Sequence, residues 1–161
     1  MIVVSDASPI ISLAAIGRPD ILCRLYDRVI IPQAVYREIT VSGSAHPGAT
    51  EIRALDWLQC EQVANRTLVT ALLAELDEGE AEAITLAIER KADLLLLDER
   101  RGRIVASRLG LSYVGLLGVL MQAKHKGHVP AVKPILDDLM VKAGFWISQP
   151  LYASVLQAAG E

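Results

Sequence analysis

The run "DLLLLD", residues 93–98, constrains this chain more than any other stretch. A strand with one wet face alternates apolar and polar side chains. A strand apolar on both faces belongs to a parallel sheet covered on both sides by helices. Two further runs read as strands: the β-branched "IVVS" near the start and "RVIIP", which Pro32 stops. Helical segments lie between them. In "SPIISLAAIG", Ser8 can cap, Pro9 fits the first helical position and Gly17 fits the end. "RPDILCRLY" reads as a second short helix, and Pro32 opens a third, "PQAVYREIT". "SGSAHPG" reads as a loop. "ATEIRALDWL" reads as helix, "QCEQV" as a third strand and "TLVTALLAEL" as helix, with another helix from about Asp77 to Lys91. After "DLLLLD" come a helix over "ERRGRIVASRLG", a last short strand in "LSYVG", and C-terminal helices from about residue 116, broken near Gly127 and Gly144. Strands alternating with helices predict an α/β fold, a three-layer α/β/α sandwich with a mainly parallel sheet.

Composition bounds the rest. The 161 residues suit one domain over 1–161. The chain is 52% hydrophobic and 22% charged, with a mean hydropathy of +0.36. That is rich for a soluble monomer and predicts a large core plus a self-association surface. A homodimer is expected, through "QPLYASVLQAAG" or the helix around Leu116 to Ala123. No window reaches the roughly 20 apolar residues of a membrane span. The opening "MIVVSDASP" lacks a basic n-region and meets Asp6 at once, so a cytoplasmic protein is expected. Cys23 and Cys60 fit no metal or redox spacing and read as two buried thiols. A net charge of −3 argues against coating nucleic acid non-specifically, but not against touching a few phosphates locally.

The acids carry the chemistry. Asp6 follows the first strand and Asp98 follows "DLLLL". In open α/β sheets ligands bind outside the carboxyl ends of strands, so the two can converge. Glu38 falls in the helix after the second strand, and Glu80 in the first turn of the helix opened by "LDEGEAEAITLA". From Glu80 the helix face runs through Ala83, Ile84, Ala87 and Ile88; from Glu82 it runs through Thr85, Leu86, Glu89 and Arg90. Glu80 is therefore expected to head a buried stripe and Glu82 to face solvent. An inward carboxylate needs a partner or counter-charge, which a divalent cation supplies. Each acid also has a plainer reading. Asp77 and Glu80 have capping-box spacing, Asp6 and Asp98 can cap the helices that follow them, and Glu38 alone is an ordinary helix residue.

The ordered series "VVSDASPIISLA", "IPQAVYREI", "LDEGEAEAITLA" and "LLLLDERRGRIVASRLGL" resembles the PIN-domain nucleases. Together with "GLLGVLMQAKHKGHVPAVKPILDDLMVKAGFWIS" it is similar to a prokaryotic branch of PIN-like proteins described as nucleic-acid-binding, and the likeness covers nearly the whole chain. The resemblance implies a PIN-like fold and a cluster of acids that binds Mg²⁺ or Mn²⁺ and hydrolyses phosphodiester bonds, usually in RNA. It maps the catalytic and metal-binding acids to Asp6, Glu38, Glu80 and Asp98, and the small hydroxyl residue of the site to Ser8. It also implies kinship with VapC-like toxins, hence a possible small antitoxin partner.

Those residue types suit that chemistry. Mg²⁺ takes one or two carboxylates and keeps several waters. One ion can activate water as the nucleophile while a second stabilises the leaving oxygen. Asp6 and Asp98 are the best direct ligands; Ser8 suits orienting a carboxylate or contacting phosphate rather than attack. Arg100 and Arg101, just after the fourth acid, are candidates for phosphate contact, against the plainer reading of a solvated helix face. His125-x-x-His128 lacks an acid or cysteine partner for zinc. A receiver domain needs an aspartate after strand three, where this chain has "CEQVAN", and a haloacid-dehalogenase phosphatase needs Asp-x-Asp where it has Asp-Ala-Ser. The main competitor is a non-catalytic PIN-like module that binds nucleic acid or a partner protein.

Overall fold

The computed structural model describes residues 1–42 and 52–161. The loop expected over "SGSAHPG" and the start of the helix expected over "ATEIRALDWL" lie outside the described residues, apart from Ser42. Of that helix, Ile52 and Arg53 are helical, and the chain has left the helix before the next strand begins at Leu58.

Five strands form one all-parallel sheet in the order β3-β2-β1-β4-β5. They are β1 (Val3–Ser5), β2 (Val29–Pro32), β3 (Leu58–Glu61), β4 (Leu94–Leu96) and β5 (Tyr113–Val114). The helices are α1 (Ala7–Ala15), α2 (Asp20–Tyr26), α3 (Gln33–Arg37), α4 (Arg66–Leu72), α5 (Glu78–Glu89), α6 (Arg100–Arg108), α7 (Leu116–His125), α8 (Lys133–Lys142) and α9 (Gln149–Ala158). α3 continues into a wider, π-type turn over Glu38–Ser42.

Successive strand residues point to opposite faces, and each face has its own core. Val3, Val29, Ile31 and Leu96 pack with α1, α2, α7 and α8. Val4, Ile30, Leu95 and Leu97 pack with α4, α5 and α6. This is the expected three-layer sandwich, and the three leucines of "DLLLLD" from Leu95 to Leu97 are fully buried.

Two details depart from the sequence reading. Asp93, Leu97 and Asp98 fall outside β4, so Asp98 stands two residues past the strand end. The cysteines are free but not buried: Cys23 is half-buried and Cys60 exposed on the edge strand β3. Among the described residues no helix is long and apolar enough to cross a membrane.

Candidate functional site

Strand order reverses direction between β1 and β4, which pair through Val3–Leu94, Val4–Leu95 and Ser5–Leu96. At such a switch point the two following loops diverge and leave a crevice at the carboxyl edge. Asp6 stands at that edge as the residue before α1, its N–H donating to Leu96 O at 3.0 Å. Asp98 emerges beside it from β4.

Three acids from three segments surround Gly79. A methyl group added there would lie 3.0 Å from Glu38 Oε2, 3.4 Å from Asp6 Oδ1 and 3.6 Å from Asp77 Oδ1. Glycine leaves this cradle open. Asp77 is the N-cap of α5, its Oδ1 accepting from Glu80 N–H at 2.8 Å. The capping-box reading therefore holds for Asp77. Glu80, one turn in, is only 8% exposed. Glu38 reaches the cradle from the turn after α3, next to Arg37, which is paired with Glu78 at 2.6 Å.

Burial and mutual repulsion set the electrostatics. Asp6 is 7% exposed. Burial pushes its carboxyl up to about 7, with Asp77, Glu38 and Asp98 adding to the rise and the Ala7 N–H opposing it. Burial likewise raises Glu80 to about 7, helped by Asp77, Asp6 and Glu99 and opposed by the Asp77 N–H. Glu38 is raised by burial and by Asp77. Asp98 is raised by burial, against the Leu116 N–H and Arg103. These are the signatures of like charges held together in a partly dry site.

Asp98 is held from one side only. Its Oδ1 accepts from Leu116 N–H at 3.0 Å, at the start of α7, and meets Arg103 at 3.4 Å. Its Oδ2 is buried and has no hydrogen-bond partner. It does not cap α6, which carries no side-chain cap.

The profile of the PIN-domain family matches residues 2–161. The chain belongs to the PIN-domain family. A search of curated proteins finds no match. PIN domains are in general nucleases and typically use divalent metals.

In this PIN domain, Asp6 and Glu38 share the Gly79 cradle, with Glu80 and Asp98 close enough to act on it electrostatically. Ser8 is exposed in the first turn of α1 and does not cap that helix, whose N-cap is Asp6. Arg100 is exposed. Arg101 lines an open groove of about 500 Å³ together with Asp77, Glu80 and Glu99.

The expected outward face of Glu82 is wrong. Glu82 is 3% exposed, accepts from Ala34 N–H at 3.1 Å and pairs with Arg66 at 2.9 Å. Thr85 on the same face is also fully buried. The reason is tertiary: α5 packs on the sheet, α3, α4 and α6, so its polar side is covered at Glu82 and Thr85, while Glu89 and Arg90 at its end are exposed as expected. Sequence reasoning also left Asp77 as a cap alone, although its acid belongs to the cradle. It singled out Arg100 and Arg101 and passed over Arg103, although Arg103 meets the site acid Asp98. Gly79 and Gly115, each tight against a site carboxylate, were the available signals.

The donor set fits a hard divalent cation: oxygen ligands only, one buried carboxylate oxygen without a partner, and a cradle that a Cβ would fill. Among the described residues no three His, Cys, Asp or Glu side chains are arranged to hold a metal ion together.

Proposed function

We propose that this PIN domain is a divalent-metal-dependent nuclease that hydrolyses phosphodiester bonds in single-stranded RNA. The observation that supports it most is the meeting of Asp6, Glu38 and Asp77 around Gly79, with Asp98, whose Oδ2 is bare, near enough to Asp6 to act on its charge. Mg²⁺ or Mn²⁺ would supply the positive charge and the activated water. Asp6, just past the end of β1, and Asp98, two residues past the end of the adjacent β4, are the residues to hold it. Glu38 and Glu80 hold it or orient its waters. Asp77 fixes the α5 N-terminus and adds negative charge to the cradle. Arg101, and Arg100 beside it, meet the substrate phosphates at the groove, and Ser8, exposed in the first turn of α1, is assigned to contact phosphate. The choice of RNA rests on the family resemblance, as does the finer form of the proposal, a VapC-like toxin held by a small antitoxin.

The competing reading is a non-catalytic binding module, which is consistent with the finding that among the described residues no three His, Cys, Asp or Glu side chains are arranged to hold a metal ion. One assay separates the two. Labelled single-stranded RNA and DNA are incubated with the protein in Mn²⁺, in Mg²⁺ and in chelator. Metal-dependent RNA cleavage that Asp6→Asn and Asp98→Asn abolish supports the nuclease. RNA bound but never cut supports the module, and cleavage of DNA alone overturns the substrate.

A further inference from the structure

We infer that Arg103 and Gly115 are positioning residues that hold the Asp98 carboxylate so that Oδ2 alone faces a cation. This deepens the metal-dependent reading above and rests on it.

Arg103 is locked on three sides. Its Nε donates to Leu97 O at 2.9 Å, its terminal nitrogen meets Asp98 Oδ1 at 3.4 Å, and its guanidinium lies 5.6 Å from the Tyr113 ring centroid. The Leu97 carbonyl immediately precedes Asp98, so the guanidinium is registered to the backbone that carries the acid. Leu116 N–H holds the same Oδ1 from the opposite element. One carboxylate oxygen is thus saturated and the other is buried without a partner. Leaving a carboxylate oxygen buried and unpaired costs free energy, so an arrangement that enforces it calls for a use.

Gly115 makes room for the arrangement. Its backbone is extended (φ −93°, ψ −179°), which any residue adopts. The need for glycine is steric: a Cβ there would overlap the Arg103 guanidinium and stand 2.5 Å from Asp98 Oδ1. Gly115→Ala therefore displaces the clamp without changing any charge.

Charge and geometry predict opposite results for Arg103. Removing a positive charge near a bound cation tightens binding on electrostatics alone. Removing the clamp frees Asp98 to rotate and weakens binding. Lysine keeps the charge but is a point donor without the planar fork that spans Leu97 O and Asp98 together.

The test is Mn²⁺ affinity, read as loss of the free-ion electron paramagnetic resonance signal, for wild type, Arg103→Gln, Arg103→Lys and Gly115→Ala. A metal-free crystal structure of Arg103→Gln accompanies it. All three variants are expected to bind Mn²⁺ at least about fivefold more weakly, with melting points near that of wild type, and Asp98 is expected to leave its position in the Arg103→Gln crystal. Arg103→Gln binding as tightly as wild type or tighter overturns the inference. So does full rescue by lysine, or an unmoved Asp98. A folded wild type without Mn²⁺ affinity overturns the metal reading itself, and this inference with it. If Arg103→Gln fails to fold, Gly115→Ala carries the same comparison with every charge in place.

Discussion

Metal-free protein should lose stability as pH rises from 5 to 8. The Asp6 carboxyl titrates at about 7 in the fold against an ordinary 3.8. Below 3.8 both folded and unfolded chains hold the proton, and Asp6 is neutral to stability. Between the two values only the folded chain holds it, so each pH unit gained costs the fold about 1.4 kcal/mol. The loss is complete above 7. The full rise of about three units is at most on the order of 4 kcal/mol, of which about 3 kcal/mol, the two units from pH 5 to 7, falls in the window. Glu80 acts in the same direction, since it too is raised to about 7. For a chain of this length the Asp6 contribution corresponds to a melting-point drop on the order of 10 °C.

The window must avoid groups of the opposite sign. Glu161 is held down to about 2 by the Val132 N–H, Lys124 and the Lys133 N–H. Its contribution is present above its ordinary pKa and is lost only as pH falls toward 2, outside the window. The assay is calorimetry in chelator at half-unit steps from pH 5 to 8, for wild type and Asp6→Asn. The wild-type melting point should fall steadily, and the variant should run flatter and melt higher at pH 8. Saturating Mn²⁺ at pH 8 should restore wild type, by about 2.7 kcal/mol at a hundredfold excess over Kd, and leave Asp6→Asn unmoved. A wild-type melting point in chelator that is level or rises across the window refutes the reasoning.

Three further outcomes follow from the same geometry. Glu80→Gln should cut metal-dependent cleavage at least about tenfold, or 1.4 kcal/mol, with an unchanged or higher metal-free melting point, whereas Glu82→Gln should lower stability by about 1–3 kcal/mol by weakening its hold on Ala34 and Arg66; equal behaviour of the two in calorimetry and cleavage would contradict both assignments. Gly79→Ala should melt no lower than wild type, because alanine is the better helix former by about 1 kcal/mol, yet lose metal affinity and cleavage as its methyl fills the acidic cradle; full activity would show the cradle to be idle. A homodimer is expected by light scattering at micromolar concentration through "QPLYASVLQAAG", where Leu151 is 46% exposed, and no longer through the helix around Leu116 to Ala123, whose Leu116, Val119, Leu120 and Ala123 are fully buried; Leu151→Asp should shift it to monomer, and a monomeric wild type ends that idea.

The layers of this fold were legible because burial on both faces leaves a run with no polar residue, and "DLLLLD" has that form. The placement of Asp6 and Asp98 was legible for a related reason. A parallel strand must end at the carboxyl edge of the sheet, so the acid after it belongs to that edge wherever the partner strand lies in sequence. Helix-face arguments fared worse. Glu80 was placed correctly at the head of a stripe whose Ala83, Ile84 and Ala87 are fully buried, although Ile88, the last residue of that stripe, is 36% exposed. Glu82 was not, because, while Glu89 and Arg90 further along the same face are exposed as expected, Glu82 itself meets Ala34 of α3 and Arg66 of α4. Nothing within residues 78–89 records that neighbour. Ser8 misled for a local reason: a cap-forming residue before Pro9 is a fair N-terminus signal, but the chain is already helical at Ala7.

The fate of the other acids sharpens the reading of the cluster. Glu82 is paired with Arg66, Glu78 with Arg37, Glu75 with Arg108 and Glu61 with Arg90. Asp6, Glu38 and Glu80 have no cationic side chain as partner among the described residues, and all three are raised by burial and by the Asp77 charge. Arginine is not scarce nearby: Arg37 is Glu38's own neighbour in sequence, yet it pairs outward with Glu78. A fold tuned for stability alone would turn that guanidinium inward or replace the unpaired acids with apolar residues. The cluster instead keeps its charge uncompensated by protein, while Asp98 has one oxygen clamped and the other bare. A removable cation is the counter-charge that makes such an arrangement useful, and it predicts that the site is worst tolerated by the fold when the ion is stripped at high pH.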